Sequence, residues 1–216
     1  MHGGHAPVGV IGLVLFPAVT ALDLVGPYEV LARTDHHCVL VARDSTPVES
    51  DRGLRLTPDE TFASCAQLEV LVVPGGPGQA AAMHDEELIA FLREQSAGAR
   101  WTASVCTGAL LLARAGLLAG RRATTHWLAM AELERLGARP QNQRVVWDHP
   151  YVTAAGVSAG IDLALALVCR LHGKELAQRI QLAMEYDPQP PFAAGSASTA
   201  PEPVVSYLRE HSRFAQ

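Results

Sequence analysis

The chain alternates short, β-branched apolar runs with longer segments of helical period, and this alternation restricts the fold more than any other feature. The runs Val8–Phe16, Cys38–Arg43, Glu69–Val73 and Trp101–Val105 are too short for buried helices and too continuously apolar for strands with one wet face. Between and after them come segments that read as helices: Leu22–Ala32, Asp85–Ser96, Thr107–Ala115 and Leu128–Leu136, with Ala159–Leu171 and Glu175–Glu185 further on. Strands alternating with helices predict an α/β fold with a mostly parallel sheet and helices on both faces. Pro27 is expected to start or kink its helix. Asp85 is expected to cap the next one, and Gly116 to close the helix that leaves Trp101–Val105. Pro47–Leu56 suits a small hairpin or an edge excursion, and Val145–Trp147 with Tyr151–Ala154 a pair of strands around Asp148-His149-Pro150.

The 216 residues are expected to form one domain, residues 1–216. Residues 1–7 read as a disordered end, with metal ligation by His2 and His5 the alternative. Residues 187–203 are rich in Pro, Ala and Ser and are expected to wrap the surface, ahead of a short helix at Val204–His211. The net charge of −5 argues against a nucleic-acid binder. The four cysteines form no C-x-x-C pair, so neither a zinc site nor a disulfide framework is expected. With no apolar stretch long enough to span a bilayer and no leader pattern at the start, a soluble cytoplasmic protein is expected, with no membrane partner.

The chemistry concentrates in Trp101-Thr-Ala-Ser-Val-Cys106-Thr-Gly-Ala-Leu-Leu-Leu-Ala. A strand running through cysteine into a helix, with Gly108 two residues on, has the form of a nucleophile elbow. The helix start would lower the thiol pKa, whereas a buried cysteine that only packs would read the same way. Two glycine-bearing loops should lie at the same sheet edge, because ligands of open parallel sheets bind beyond the strands' carboxyl ends. One is Pro74-Gly75-Gly76-Pro77-Gly78, whose amides could face a developing negative charge. The other is Gly156-Val157-Ser158-Ala159-Gly160, with Ser158 as a helix cap or ligand donor. His126 reads either as a general base or as a capping residue at a helix start, and Asp23 as a first-turn acid or a catalytic one.

Taken together, the Pro74-Gly75-Gly76 turn, SVCTGALLLARAGLLAGRRATTHW and AAGVSAGIDLALAL resemble the ThiJ/PfpI superfamily, from Val8 to about Pro203. LDLVGPYEVL and EYDPQPPFAAGSASTAPEPVV extend the likeness to its isocyanide hydratase branch. The resemblance implies a class I glutamine-amidotransferase-like, flavodoxin-like three-layer sandwich, a homodimer, and no metal or organic cofactor. It implies Cys106 as nucleophile and Asp23 as the acid beside its sulfur. Gly75, Gly76 and Thr107 would face the reacting group, and Gly156 and Val157 would hold the acid. Ser158 stands where that branch has Thr. The implied reaction converts an isocyanide to an N-substituted formamide through a covalent thioimidate. Glyoxalase or deglycase chemistry on the same cysteine–acid pair is one alternative, and a ligand- or redox-sensing domain without turnover is another. AraC-type regulators share part of the pattern, but the short stretch after Tyr186 is expected to hold no DNA-binding pair.

Overall fold

A computed structural model of the chain describes residues 9–214. The readings placed on residues 1–7, including His2 and His5, and on Val8 as the start of the first strand lie outside the described residues. The expected alternation becomes a seven-stranded sheet. From one edge the strands run Val145–Asp148, Tyr151–Ala154, Trp101–Val105, Val70–Val73, Val10–Val14, His37–Ala42 and Glu60–Thr61. Neighbours are parallel except the outermost pair, where Val145–Asp148 runs antiparallel to Tyr151–Ala154. Every residue of Val70–Val73 and Trp101–Val105 is buried, so helices cover both faces of the sheet's centre. Helices Ala21–Leu31 and Ala159–His172 pack on each other, while Gly108–Arg114 packs with Glu86–Gly98 and Met130–Arg135. Among the described residues no helix is long and apolar enough to cross a membrane.

Local signals were realised with instructive exceptions. Asp85 accepts from the amides of Glu87 and Leu88 at the start of Glu86–Gly98, as a capping Asp should. Gly116, at φ +81°, closes Gly108–Arg114 while Leu117 N–H reaches back to the Leu112 carbonyl. The hairpin between Pro47 and Leu56 forms from Val48–Glu49 and Arg55–Leu56. Of the two readings of Pro27, the helix start is corrected: the helix starts at Ala21 and contains Pro27. The ring meets the neighbouring helix where a Cβ on Gly160 would lie 3.0 Å from Pro27 Cγ, so tertiary packing accommodates a residue that local propensity disfavours. The expected single helix over 128–136 is divided into a 3-10 turn, Trp127–Ala129, and a helix, Met130–Arg135.

The register puts the carboxyl ends of four adjacent strands together. Val73 pairs with Ser104 and Ala154 with Val105, so the turn after Val73, the residue after Val105 and the loop after Ala154 emerge side by side. The loop after Val10–Val14 joins them, with Thr20 N–H donating to the Gly75 carbonyl and Gly78 N–H to the Ala18 carbonyl. Gly108 makes the approach possible, because a Cβ there would stand 2.1 Å from the Val73 carbonyl oxygen. Gly108→Ala should therefore lower unfolding stability by about 2 kcal/mol, the usual scale of overpacking. Urea denaturation checks this, and an unchanged midpoint would mean that the helix does not rest on that strand end.

Candidate active site

Cys106 follows the last residue of its strand and has φ +56°, a left-handed conformation that a non-glycine residue adopts only under tertiary constraint. The constraint is visible on both sides of the residue. Its N–H donates to the Ala155 carbonyl at 2.9 Å, and its carbonyl accepts from Thr125 Oγ1 at 2.8 Å. The side chain is only 6% exposed, and its sulfur receives the backbone amides of Val157 and Thr107. This is the elbow anticipated from the strand–cysteine–helix pattern.

Asp23 lies in the first turn of Ala21–Leu31, yet it is 0% exposed, which excludes a solvated dipole-facing acid. Its Oδ2 accepts from Gly75 N–H at 3.0 Å, and the carboxyl lies against the Cys106 thiol. Among the described residues its Oδ1 is buried without a conventional hydrogen-bond partner. Burial pushes Asp23 up to about 7, against the opposing pull of the Gly75 amide and the thiol. Burial, and then the adjacent acid, pushes the Cys106 thiol up to about 12. The expectation of a thiol depressed by the helix start is thus corrected, because desolvation outweighs the two amides at the sulfur. The two groups titrate as a pair that carries one negative charge between about pH 7 and pH 12.

The glycine loops serve different partners from those expected. Gly75 N–H is spent on Asp23, and Gly76 N–H donates to Thr107 Oγ1 at 3.0 Å, so neither amide is free to face a reacting group. Gly75 must be glycine because a Cβ would stand 2.5 Å from the Thr107 nitrogen. Holding the acid, assigned to Gly156 and Val157 by resemblance, falls to Gly75. Val157 N–H faces the sulfur instead, and Gly156 leaves room for His126, whose Cδ2 would lie 3.0 Å from an added Cβ. Ser158 is not a side-chain cap; its hydroxyl accepts from Arg144 at 3.3 Å. His126 caps the 3-10 turn: its Nδ1 accepts from Leu128 N–H at 3.3 Å, and burial followed by the Arg213 charge lowers its pKa. The neutral ring therefore carries its proton on Nε2, a donor rather than a base.

A cavity of about 250 Å³ opens over Cys106, bounded by Thr107, His126, Val157, Asp51, Arg213 and Phe214. A larger one of about 550 Å³ shares the His126 and Val157 wall and holds Ser158, and the expected wrapping segment supplies Gly195–Ser198 to its lining. Sequence reasoning missed Asp51 and Arg213. Both arrive from distant parts of the chain, and neither belongs to a motif. Among the described residues, no group of His, Cys, Asp and Glu is placed to hold a metal ion.

Comparison with known proteins places the chain among relatives of the same fold. Residues 10–170 match the DJ-1/PfpI family. The chain is 50% identical to the isonitrile hydratase of Pseudomonas putida over 94% of its own length and 89% of that protein. It is 40% identical to a ThiJ/PfpI family protein of Pseudomonas syringae, whose crystal structure superposes with a TM-score of 0.92 over 96% of this chain and 89% of that one. The HTH-type transcriptional regulator GbdR of Pseudomonas aeruginosa is 29% identical over 82% of this chain, which spans 50% of the regulator.

The pair makes a stability prediction. Between the ordinary aspartate value of ~4 and about 7 the folded protein binds one more proton than the unfolded chain, so stability falls as pH rises across that window. Asp23→Asn should therefore be more stable than the parent by ~4 kcal/mol at pH 8, and the gain should nearly vanish at pH 4. Thermal unfolding at the two pH values measures this, and equal stability at pH 8 would mean that Asp23 is not held in a charge-excluding site.

Proposed function

The chain belongs to the DJ-1/PfpI family, and from that premise we propose that it hydrates isocyanides to N-substituted formamides through a covalent bond to Cys106. The observation that carries this reading is the buried contact of an acid with a cysteine at the floor of a small cavity. Identity to an isonitrile hydratase over most of both chains supports the substrate class. The reading uses no metal or organic cofactor, and in it the protein is a cytoplasmic homodimer.

An isocyanide carbon accepts a nucleophile and then a proton on the same atom, so the catalyst must bring both within one molecular diameter. The reaction draws on the form of the singly charged pair with the charge on sulfur and the proton on Asp23, which two amides at the sulfur against one at the carboxyl help to populate although burial favours the neutral thiol. Gly75 occupies Oδ2, which leaves Oδ1 to carry that proton. The thiolate forms a bond to the terminal carbon as the Asp23 proton is delivered to that carbon, giving R–N=CH–S–Cys106. Asp23, now a carboxylate, takes a proton from water as its oxygen adds to the carbon, and passes the proton to nitrogen. The C–S bond then breaks as Asp23 removes the hydroxyl proton, releasing R–NH–CHO and restoring thiolate and acid. Dividing the addition into two steps lets one acid–base group serve both.

Mixing the protein with cyclohexyl isocyanide should yield N-cyclohexylformamide, followed by chromatography. Cys106→Ala should abolish turnover, and Asp23→Asn should reduce kcat by about 10²–10⁴-fold, the range of general acid–base catalysis. Unchanged turnover in Cys106→Ala would contradict covalent catalysis. A parent protein inert to isocyanides but active on methylglyoxal would place the same pair in aldehyde chemistry.

A further inference from the structure

The geometry points to Arg213, near the end of the described chain, as a positioning residue that holds the turn beside Cys106 and supplies the site's counter-charge. The inference rests on the cysteine–acid pair proposed above and concerns how that pair is kept ready.

The helix Glu202–Glu210 brings the chain back over the carboxyl edge of the sheet, anchored by buried Val205. Arg213 then reaches down to the turn after Val73. Its Nη2 donates to the Gly76 carbonyl at 2.9 Å and to Gln79 Oε1 at 3.1 Å, with Thr107 Oγ1 at 3.5 Å, and its Nη1 donates to the Pro77 carbonyl. Two of the four residues it grips, Gly76 and Thr107, stand beside the groups that orient the chemistry. Thr107 supplies an amide to the sulfur, Gly76 follows the glycine that holds Asp23, and the Gly76 amide is itself bonded to the Thr107 hydroxyl. One planar guanidinium therefore ties both sides of the turn–elbow contact to the segment that follows the helix Glu202–Glu210, a task for which its rigid fork suits it better than an ammonium.

The charge balance adds an independent argument. The groups facing Cys106 are Asp23 from its helix, Asp51 from the hairpin loop, His126 from the loop before the 3-10 turn, and Arg213. Two acids and the Cys106 thiol converge there, His126 is neutral, and among the described residues Arg213 is the only permanently cationic side chain lining that cavity. The opposite charge of Arg213 favours the ionised state of the pair. Phe214, its neighbour, completes that wall of the cavity.

The test follows alkylation of Cys106 by iodoacetamide against pH in the full-length protein. Mass spectrometry of the Cys106 peptide separates it from Cys38, Cys65 and Cys169. Arg213→Gln should slow alkylation near pH 7 by about 3- to 10-fold and move the midpoint upward, as expected for a pKa rise of half to one unit. Arg213→Lys should recover part of that displacement. Arg213→Met, which keeps the aliphatic stem, provides the same reading should Arg213→Gln fold poorly. A midpoint unmoved in a folded neutral variant overturns the inference, because a purely structural clasp would lower stability without moving the pH profile. Faster alkylation at every pH with the same midpoint also overturns it, leaving Arg213 as a cover alone. Alkylation needs no isocyanide, so a parent protein that fails to hydrate isocyanides would defeat the proposed reaction and leave the Arg213 result standing.

Discussion

The site depends on one contact: a carboxyl group and a thiol buried against each other with too few donors to hold two charges. Asp23 is fully buried and has a single backbone amide on one oxygen, while the sulfur has two amides. A second charge in that volume would be strongly unfavourable, so a proton must be shared or moved whenever either group acts. This makes an acid–base catalyst and a nucleophile out of two ordinary side chains. It also makes the contact a load on the fold, which the surrounding backbone has to restrain.

The restraint is topological. Four parallel strand ends and the loops after them interlock by backbone hydrogen bonds, from Thr20 to Gly75, Gly78 to Ala18 and Cys106 to Ala155. Residues too small to keep those loops apart let them meet: Gly108 under the Val73 carbonyl and Gly75 against the Thr107 nitrogen. The strained cysteine is held because both of its backbone polar groups are bonded to neighbouring loops. The precision of the site thus belongs to the sheet edge as a whole, consistent with catalytic groups carried on loops above a rigid scaffold.

Much of this was legible in the sequence where the signal was local. The strand pattern fixed the order of elements, because period and length decide between strand and helix without reference to distant residues. The elbow was legible because strand, Cys106, Gly108 and helix are contiguous. What the loops do was not, since it depends on which amide meets which acceptor across the sheet edge. Gly75 and Gly76 were expected to face a reacting group, and they hold Asp23 and Thr107 instead. Pro27 inside a helix and Arg213 beside the cysteine were illegible for the same reason, as both are explained only by residues far along the chain. The thiol's behaviour failed differently. The helix start was read correctly, but burial is a property of the packed site and exceeds what two amides return.

The most direct test of this account is to titrate both members of the pair in one sample, following Asp23 by carbon-13 NMR of labelled aspartate and Cys106 by thiolate ultraviolet absorbance. The account predicts that no step belonging to Asp23 appears near the ordinary carboxyl value of ~4, and that a single proton leaves the pair close to pH 7. Separate transitions, a carboxyl near ~4 and a thiol near ~8.5, would mean that the two groups ionise independently and would contradict the account.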